Sequence, residues 1–151
     1  MTKRLKIIIL AFVVTITLVF GVCIVVSFRS KDMKENKEMV MKIDGTKVDV
    51  TWEENASVEE LEELAASGLS ISMSMYGGFE QVGSIGKSIT QNDKQMTTGA
   101  GDIVLYSGNQ LVVFYGSNSW AYTKLGKINM SQKELADLLG KGDVTITISM
   151  E

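Results

Sequence analysis

The stretch that decides the fold is a pair of dense apolar runs, Ile103-Val-Leu-Tyr106 and Leu111-Val-Val-Phe-Tyr115, joined by Ser107-Gly-Asn-Gln110. Turn-forming residues between two short apolar runs predict a β hairpin. Apolar runs as dense as these indicate the most buried strands of a domain. We therefore expect this hairpin to lie at the centre of a mainly β domain.

Segments on either side of this hairpin have the period of half-buried strands. Asp44-Gly45 separates two alternating runs, and this dipeptide favours a tight hairpin turn because both of its positions tolerate positive φ. Residues 69–75 alternate large apolar side chains with serine, and residues 144–150 alternate them with threonine and serine. Each of these runs predicts one strand with a buried face.

Two short helices are predicted between the strands. Ser57 with Glu60, and Ser131 with Glu134, have the spacing of capping boxes, and each is followed by one apolar helical face. Residues 117–125 are rich in polar residues and predict a loop or edge segment. Many short strands with two short helices favour a closed or nearly closed antiparallel β-barrel.

The N-terminal part of the chain predicts a membrane anchor. Residues 7–28 form an uncharged stretch of 22 residues, which as a helix would span roughly 33 Å and could cross a bilayer. Lys3, Arg4 and Lys6 precede it, so we expect a single-pass protein of the cell membrane with its C-terminal domain extracytoplasmic. Lipidation at Cys23 or cleavage elsewhere in this segment remains an alternative.

The chain is therefore divided into four parts. Residues 1–6 are a basic cytoplasmic start, residues 7–28 the transmembrane anchor, residues 29–38 a charged stalk, and residues 39–151 the globular domain. The first 38 residues carry a net charge of +4 and the rest −7, for a total of −3. An acidic domain without arginine is a poor candidate for binding nucleic acid, whose phosphates need a basic surface.

Several kinds of chemistry are excluded by composition. The chain has no histidine, and its one cysteine lies in the apolar segment. The domain therefore lacks the commonest general base, the commonest metal ligand and any thiolate nucleophile. We expect no metal site, no cofactor and no catalytic residues.

Four segments together resemble the bacterial cyclophilin-like family, over residues 39–150. They are Met75-Tyr-Gly-Gly-Phe-Glu-Gln-Val-Gly83, Thr98-Gly-Ala-Gly-Asp-Ile-Val-Leu-Tyr106, Leu111-Val-Val-Phe-Tyr-Gly116 and Leu125-Gly-Lys-Ile128. The resemblance implies a cyclophilin-type barrel of eight strands closed by two helices. True cyclophilins are prolyl isomerases that depend on an arginine which polarises the prolyl amide, and the domain has none.

The resemblance therefore implies a fold and a groove but not the isomerase site. The leading hypothesis is a non-catalytic module that binds a peptide, a protein or another ligand. The alternatives are a divergent, weak prolyl isomerase and a structural accessory domain of an envelope complex.

Candidate groove residues come from the glycine-rich corner and from the aromatic positions of the last third of the chain. Tyr76-Gly77-Gly78-Phe79 could form the floor of a groove or only a corner of the barrel. Asp102 ends a glycine-rich segment that could be an anion nest or only a turn into a strand. The complete predicted set is Tyr76, Gly77, Gly78, Phe79, Asp102, Tyr115 and Trp120.

Overall fold

Eleven strands and two helices make up residues 37–151, the part of the chain that the computed structural model describes. The strands are β1 (Met39–Ile43), β2 (Thr46–Val48), β3 (Val50–Trp52), β4 (Leu69–Ser72), β5 (Ser74–Tyr76), β6 (Glu80–Ser84), β7 (Lys94–Thr97), β8 (Asp102–Tyr106), β9 (Gln110–Phe114), β10 (Ser119–Ile128) and β11 (Thr145–Met150). The helices are α1 (Ala56–Ala65) and α2 (Gln132–Leu139).

The strands form two antiparallel sheets. The small sheet has the order β2-β1-β11-β4, and the large sheet has the order β3-β10-β8-β9-β6-β5, with β7 paired to the start of β10. The hairpin predicted at residues 103–115 is confirmed as β8 and β9, in register from Ile103 opposite Val113 to Tyr106 opposite Gln110. The Asp44-Gly45 turn between β1 and β2 is confirmed as well, with φ of 46° and 81°.

The main core lies between the two sheets. One face of β8 and β9 contributes Ile103, Leu105, Leu111 and Val113, all fully buried. The small sheet contributes Met41, Ile43, Ile146 and Ile148 to the same cluster. Both helices add leucines to it, and burial of this apolar surface is the main term that stabilises the domain.

The predicted closed barrel of about eight strands is wrong, because both sheets are open. Two runs that the sequence predicts as single strands each break at one residue, Asp49 and Met73, and pass from the small sheet into the large one. At the second break the Met73 amide still donates to the carbonyl of Val144 at 2.9 Å, next to the β4–β11 pairing, and the chain then pairs with β6 from Ser74. Strands that bend from one sheet into another make the corners of two packed sheets. The sheets therefore share a core without a continuous ring of hydrogen bonds.

One of the two predicted capping boxes is also wrong. The first helix is capped by Asn55, whose side chain accepts a hydrogen bond from the Val58 amide at 3.0 Å. Ser57 and Glu60 instead bond to Thr90 in a distant loop, with the Ser57 hydroxyl donating to the Thr90 carbonyl at 2.7 Å. The second box, Ser131 with Glu134, is confirmed at the start of α2.

The prediction of a loop or edge segment at residues 117–125 is wrong. Most of it belongs to β10, a strand of 10 residues that pairs with β3, β7 and β8. Its register shifts between Lys124 and Gly126. A bulge of this kind interrupts the alternation of side chains, which hides the strand from a period-two pattern.

The predicted transmembrane anchor at residues 7–28 lies outside the described residues, as do the basic start and the stalk up to residue 36. Within residues 37–151 neither helix has the length and apolar character needed to cross a membrane. The helices there have 10 and 8 residues.

We predict that Gly83→Ala destabilises the domain. A Cβ at Gly83 on β6 would lie 2.6 Å from the Met73 sulfur and 2.7 Å from both the Ile71 side chain and the Ser72 carbonyl oxygen. Because that oxygen is backbone, the strand itself must shift, and overpacking of this kind costs about 1–3 kcal/mol. Urea denaturation of the full chain in neutral detergent micelles measures the loss. The matched control is Gly99→Ala, where a Cβ meets nothing within 4 Å; equal midpoints for both variants would contradict the packing described here.

Candidate functional site

The large sheet has a second apolar face, turned away from the main core. Val104 on β8, Val112 and Phe114 on β9, and Tyr122 on β10 are buried in a cluster of their own. Along β8 and β9 these residues alternate with residues of the main core, so their side chains point to the opposite side of the sheet. We call this side the outer face.

A cavity of about 300 Å³ opens on the outer face. Its volume is at the lower end of the range for ligand pockets, which suits a small molecule or one side chain of a larger partner. The aromatic residues that line it are Tyr76, Tyr106, Trp120 and Tyr122.

The rim of the cavity concentrates the exposed aromatic surface of the domain. Tyr76 is 67% exposed, Trp120 57% and Tyr106 40%. Together with Met75 they are the large hydrophobic residues that are exposed in the described part of the chain. Exposed apolar surface gathered at one place, rather than scattered singly, is typical of a binding site.

The floor of the cavity is fixed by Tyr122. Its ring packs edge to face on Phe114 below it, with centroids 5.7 Å apart, and on Tyr106 beside it, with centroids 6.0 Å apart. The Asn118 side-chain amide, which also lines the cavity, donates to the Tyr122 hydroxyl at 3.0 Å. The floor is therefore a packed surface, while the rim above it faces solvent.

Glu80 is the charged residue of this cavity. It lies on β6 opposite Tyr76 of β5 and Phe114 of β9, and paired residues of neighbouring strands share one face. Glu80 is only 6% exposed, and its Oε2 accepts no hydrogen bond from residues 37–151. Burial raises the pKa of this carboxyl above its usual value, because the charged form loses its hydration.

The pKa of Tyr122 is also shifted by its surroundings in the cavity. Burial raises the pKa of the Tyr122 hydroxyl, and the negative charge of Glu80 raises it further. The hydrogen bond from Asn118 acts in the opposite direction but does not cancel the shift. An ionised Glu80 therefore disfavours the ionisation of Tyr122.

The glycine-rich corner predicted from the sequence reaches the cavity only through Tyr76, since Gly77, Gly78 and Phe79 do not line it. Gly77 and Gly78 join β5 to β6 with φ of 61° and 73°, values that side chains with a Cβ rarely adopt. A Cβ on Gly77 would lie 2.2 Å from the ring of Phe79, which packs on the outer-face cluster. The corner thus holds Tyr76 at the rim and Phe79 beneath it.

Two of the seven predicted residues, Tyr76 and Trp120, line the cavity, whereas Asp102 and Tyr115 are as absent from its lining as the rest of the corner. Tyr115 is buried in the main core on the opposite side of the sheet. Asp102 is paired with Lys124 at 2.8 Å and Lys127 at 3.7 Å, and it accepts a hydrogen bond from the Gly99 amide. Burial alone would raise the pKa of Asp102, but these hydrogen bonds and the lysine charges lower it below its usual value. The binding roles assigned to the seven residues stay predictions.

Six of the residues that line the cavity are absent from the predicted groove: Glu80, Val82, Tyr106, Val112, Asn118 and Tyr122. Alternation along β6 and β9 does carry a signal for Glu80, Val82 and Val112, which occupy one face of neighbouring strands. The alternation identifies these three residues as neighbours only once the pairing of β6 with β9 is known. Asn118 belongs to a turn and has no such pattern.

No metal centre is formed by the described residues. Within residues 37–151 no group of three or more histidine, cysteine, aspartate or glutamate side chains is placed to hold a metal ion. That the domain works without metal or cofactor stays a prediction.

We predict that Glu80→Gln stabilises the protein at neutral pH. A carboxyl whose pKa is raised on folding binds more protons when folded than when unfolded, so its contribution falls as pH rises through the raised pKa. Removing the charge should therefore raise the free energy of unfolding at pH 7. The difference should vanish at a pH below the usual glutamate value of about 4.3.

Urea denaturation at both pH values measures this effect. Glu62→Gln, on the exposed side of α1, is the matched control. A variant Glu80→Gln that is less stable than the parent at pH 7 would show that the carboxylate is stabilised in place.

Comparison with known proteins agrees with the family resemblance of the sequence. The family model described as the cyclophilin-like family matches residues 41–149, which is most of the chain. No curated protein and no solved structure gives a match. The matched region begins in β1 and ends in β11, so it includes both sheets and the cavity. The chain therefore belongs to the cyclophilin-like family.

Proposed function

We propose that the domain is a non-catalytic binding module whose outer-face cavity takes a small ligand or one side chain of a partner. The observation that carries this proposal is the convergence of exposed aromatic residues on one cavity, with Tyr76 and Trp120 at its rim. Exposed aromatic rings gathered at one place are typical of binding sites, where they are common anchors.

The chemistry of the cavity favours binding over prolyl isomerisation. Isomerisation in the cyclophilins depends on a cationic hydrogen-bond donor to the prolyl amide, and residues 37–151 contain no arginine. The charged group that lines the cavity is the carboxyl of Glu80, which when ionised only accepts hydrogen bonds. The site thus lacks the polarising donor that the reaction needs.

We also propose that the domain is tethered to the cell membrane and faces away from the cytoplasm. Support comes from the sequence alone: the apolar stretch at residues 7–28 follows a compact basic start. Tethering would place the cavity close to the membrane surface, joined by a charged stalk of about ten residues.

Protease treatment of intact cells or protoplasts tests this location. We expect the domain to be digested without lysis, because it lies outside the membrane. Protection of the domain until the cells are lysed would place it in the cytoplasm and contradict the proposed orientation.

Binding is tested by ¹⁹F NMR of the full chain labelled with 5-fluorotryptophan, in neutral detergent micelles. The chain has two tryptophans, so Trp52 acts as an internal reference for Trp120. The Trp52 indole donates to the Met39 carbonyl at 3.0 Å and does not line the cavity. With a panel of proline-containing peptides and small organic molecules, we expect ligands to shift the Trp120 signal and leave Trp52 unchanged.

Two variants sharpen this experiment. Tyr76→Ala should weaken binding about tenfold or more, as expected for the loss of an aromatic anchor. Met75→Ala is the matched control, since Met75 is exposed on the same strand but does not line the cavity. Equal effects of the two variants would contradict binding in the cavity, and catalysed exchange between the cis and trans signals of a peptide would favour the isomerase instead.

A further inference from the structure

When ionised, the carboxyl of Glu80 places a buried negative charge at the cavity. Glu80 lines the cavity and is 6% exposed, and its Oε2 accepts no hydrogen bond from residues 37–151. A buried charge without a partner is costly, so such groups are normally paired. A ligand that brings a positive charge into the cavity would compensate the charge of this carboxyl.

The nearby lysines do not compensate the charge of Glu80. Lys124 and Lys127 lie on β10, but both pair with Asp102. Lys94 is opposite Tyr122 in the pairing of β7 with β10, but it is exposed and does not line the cavity. None of these three lysines therefore compensates the charge of Glu80.

The remaining walls of the cavity suit an organic cation rather than a metal ion. The faces of aromatic rings carry negative potential and attract ammonium groups, most strongly at tryptophan and tyrosine. Tyr106 and Tyr122 meet at 68°, so the two rings present faces of different direction. One carboxylate offers too few oxygen ligands for a hard metal ion.

We propose that the outer-face cavity is an aromatic cage for an organic ammonium group, which binds over Tyr76, Tyr106, Trp120 and Tyr122 with its charge towards Glu80. This inference rests on the proposed function, since it names the ligand class of the same cavity. The ammonium group can belong to a free small molecule or to a lysine side chain, methylated or not. Its apolar methylene or methyl groups contact the rings, and its charge compensates the carboxylate.

The test compares a cation with its neutral isostere. Isothermal titration of the full chain in neutral detergent micelles uses (2-hydroxyethyl)trimethylammonium and 3,3-dimethylbutan-1-ol, which differ by a charged nitrogen in place of a carbon. We expect the cation to bind at least about tenfold more tightly, since a charged contact worth about 1.4 kcal/mol changes affinity by that factor. A peptide with one trimethyllysine distinguishes the sources: tighter binding than the free cation indicates a side chain, and equal binding a small molecule.

Two variants distinguish the contribution of the Glu80 charge from that of the aromatic rings. Glu80→Gln should remove most of the preference for the cation, because the affinity for the cation falls much more than the affinity for the alcohol. Trp120→Leu, at the exposed rim, should weaken the cation more than the alcohol because it removes a ring face but keeps an apolar side chain. The domain fold is checked by the ¹⁹F signal of Trp52.

The outcomes distinguish the two proposals. Equal affinity for the cation and the alcohol would overturn the ammonium cage but leave a binding cavity in place. Binding of the cation that Glu80→Gln does not change would overturn the role of the carboxylate. If no probe of either experiment shifts Trp120, the cage and the proposed function fail together.

Discussion

The structure depends on the fact that β8 and β9 are apolar on both faces. Ile103, Leu105, Leu111 and Val113 face the small sheet, and the residues between them face the other way. A sheet with two apolar faces must be covered on both sides to stay out of water. The small sheet and the helices cover the inner face. Within residues 37–151 the outer-face cluster is covered by side chains of its own sheet and of the corner before β6, and the cavity is the part of that face which is open.

Glu80 is the exception within this apolar surface, and it links the fold to the proposed function. The pairing of β6 with β5 and β9 places its carboxyl beside Tyr76 and above Phe114, where burial penalises the charge. An apolar or amide side chain would fit this position with less cost to stability. Groups that cost stability where they lie are often found at functional sites, because binding or catalysis compensates them.

The sequence predicts local structure well here and long-range structure poorly. The hairpin at residues 103–115, the Asp44-Gly45 turn and the box at Ser131 were predicted because their signals lie within a few residues. The predicted barrel was wrong because the breaks at Asp49 and Met73 depend on hydrogen bonds to residues elsewhere in the chain. The predicted capping box at Ser57 was wrong because Ser57 and Glu60 bond to Thr90 instead. The same limit applies to the cavity. Tyr76 was identified as a candidate from its glycine-rich corner and Trp120 as an aromatic residue among polar neighbours, whereas the position of Glu80 can be recognised only when the strands are paired.

The central claim, a buried carboxyl whose Oε2 has no hydrogen-bond partner within residues 37–151, is tested most directly by the pKa of Glu80. Titration of its side-chain carboxyl carbon by ¹³C NMR, assigned with Glu80→Gln, gives this value without a ligand. The account predicts a midpoint above the ordinary glutamate value of about 4.3, because burial is the cause of the shift. A midpoint at or below that value would show that water or a cation already compensates the charge, and would contradict the claim.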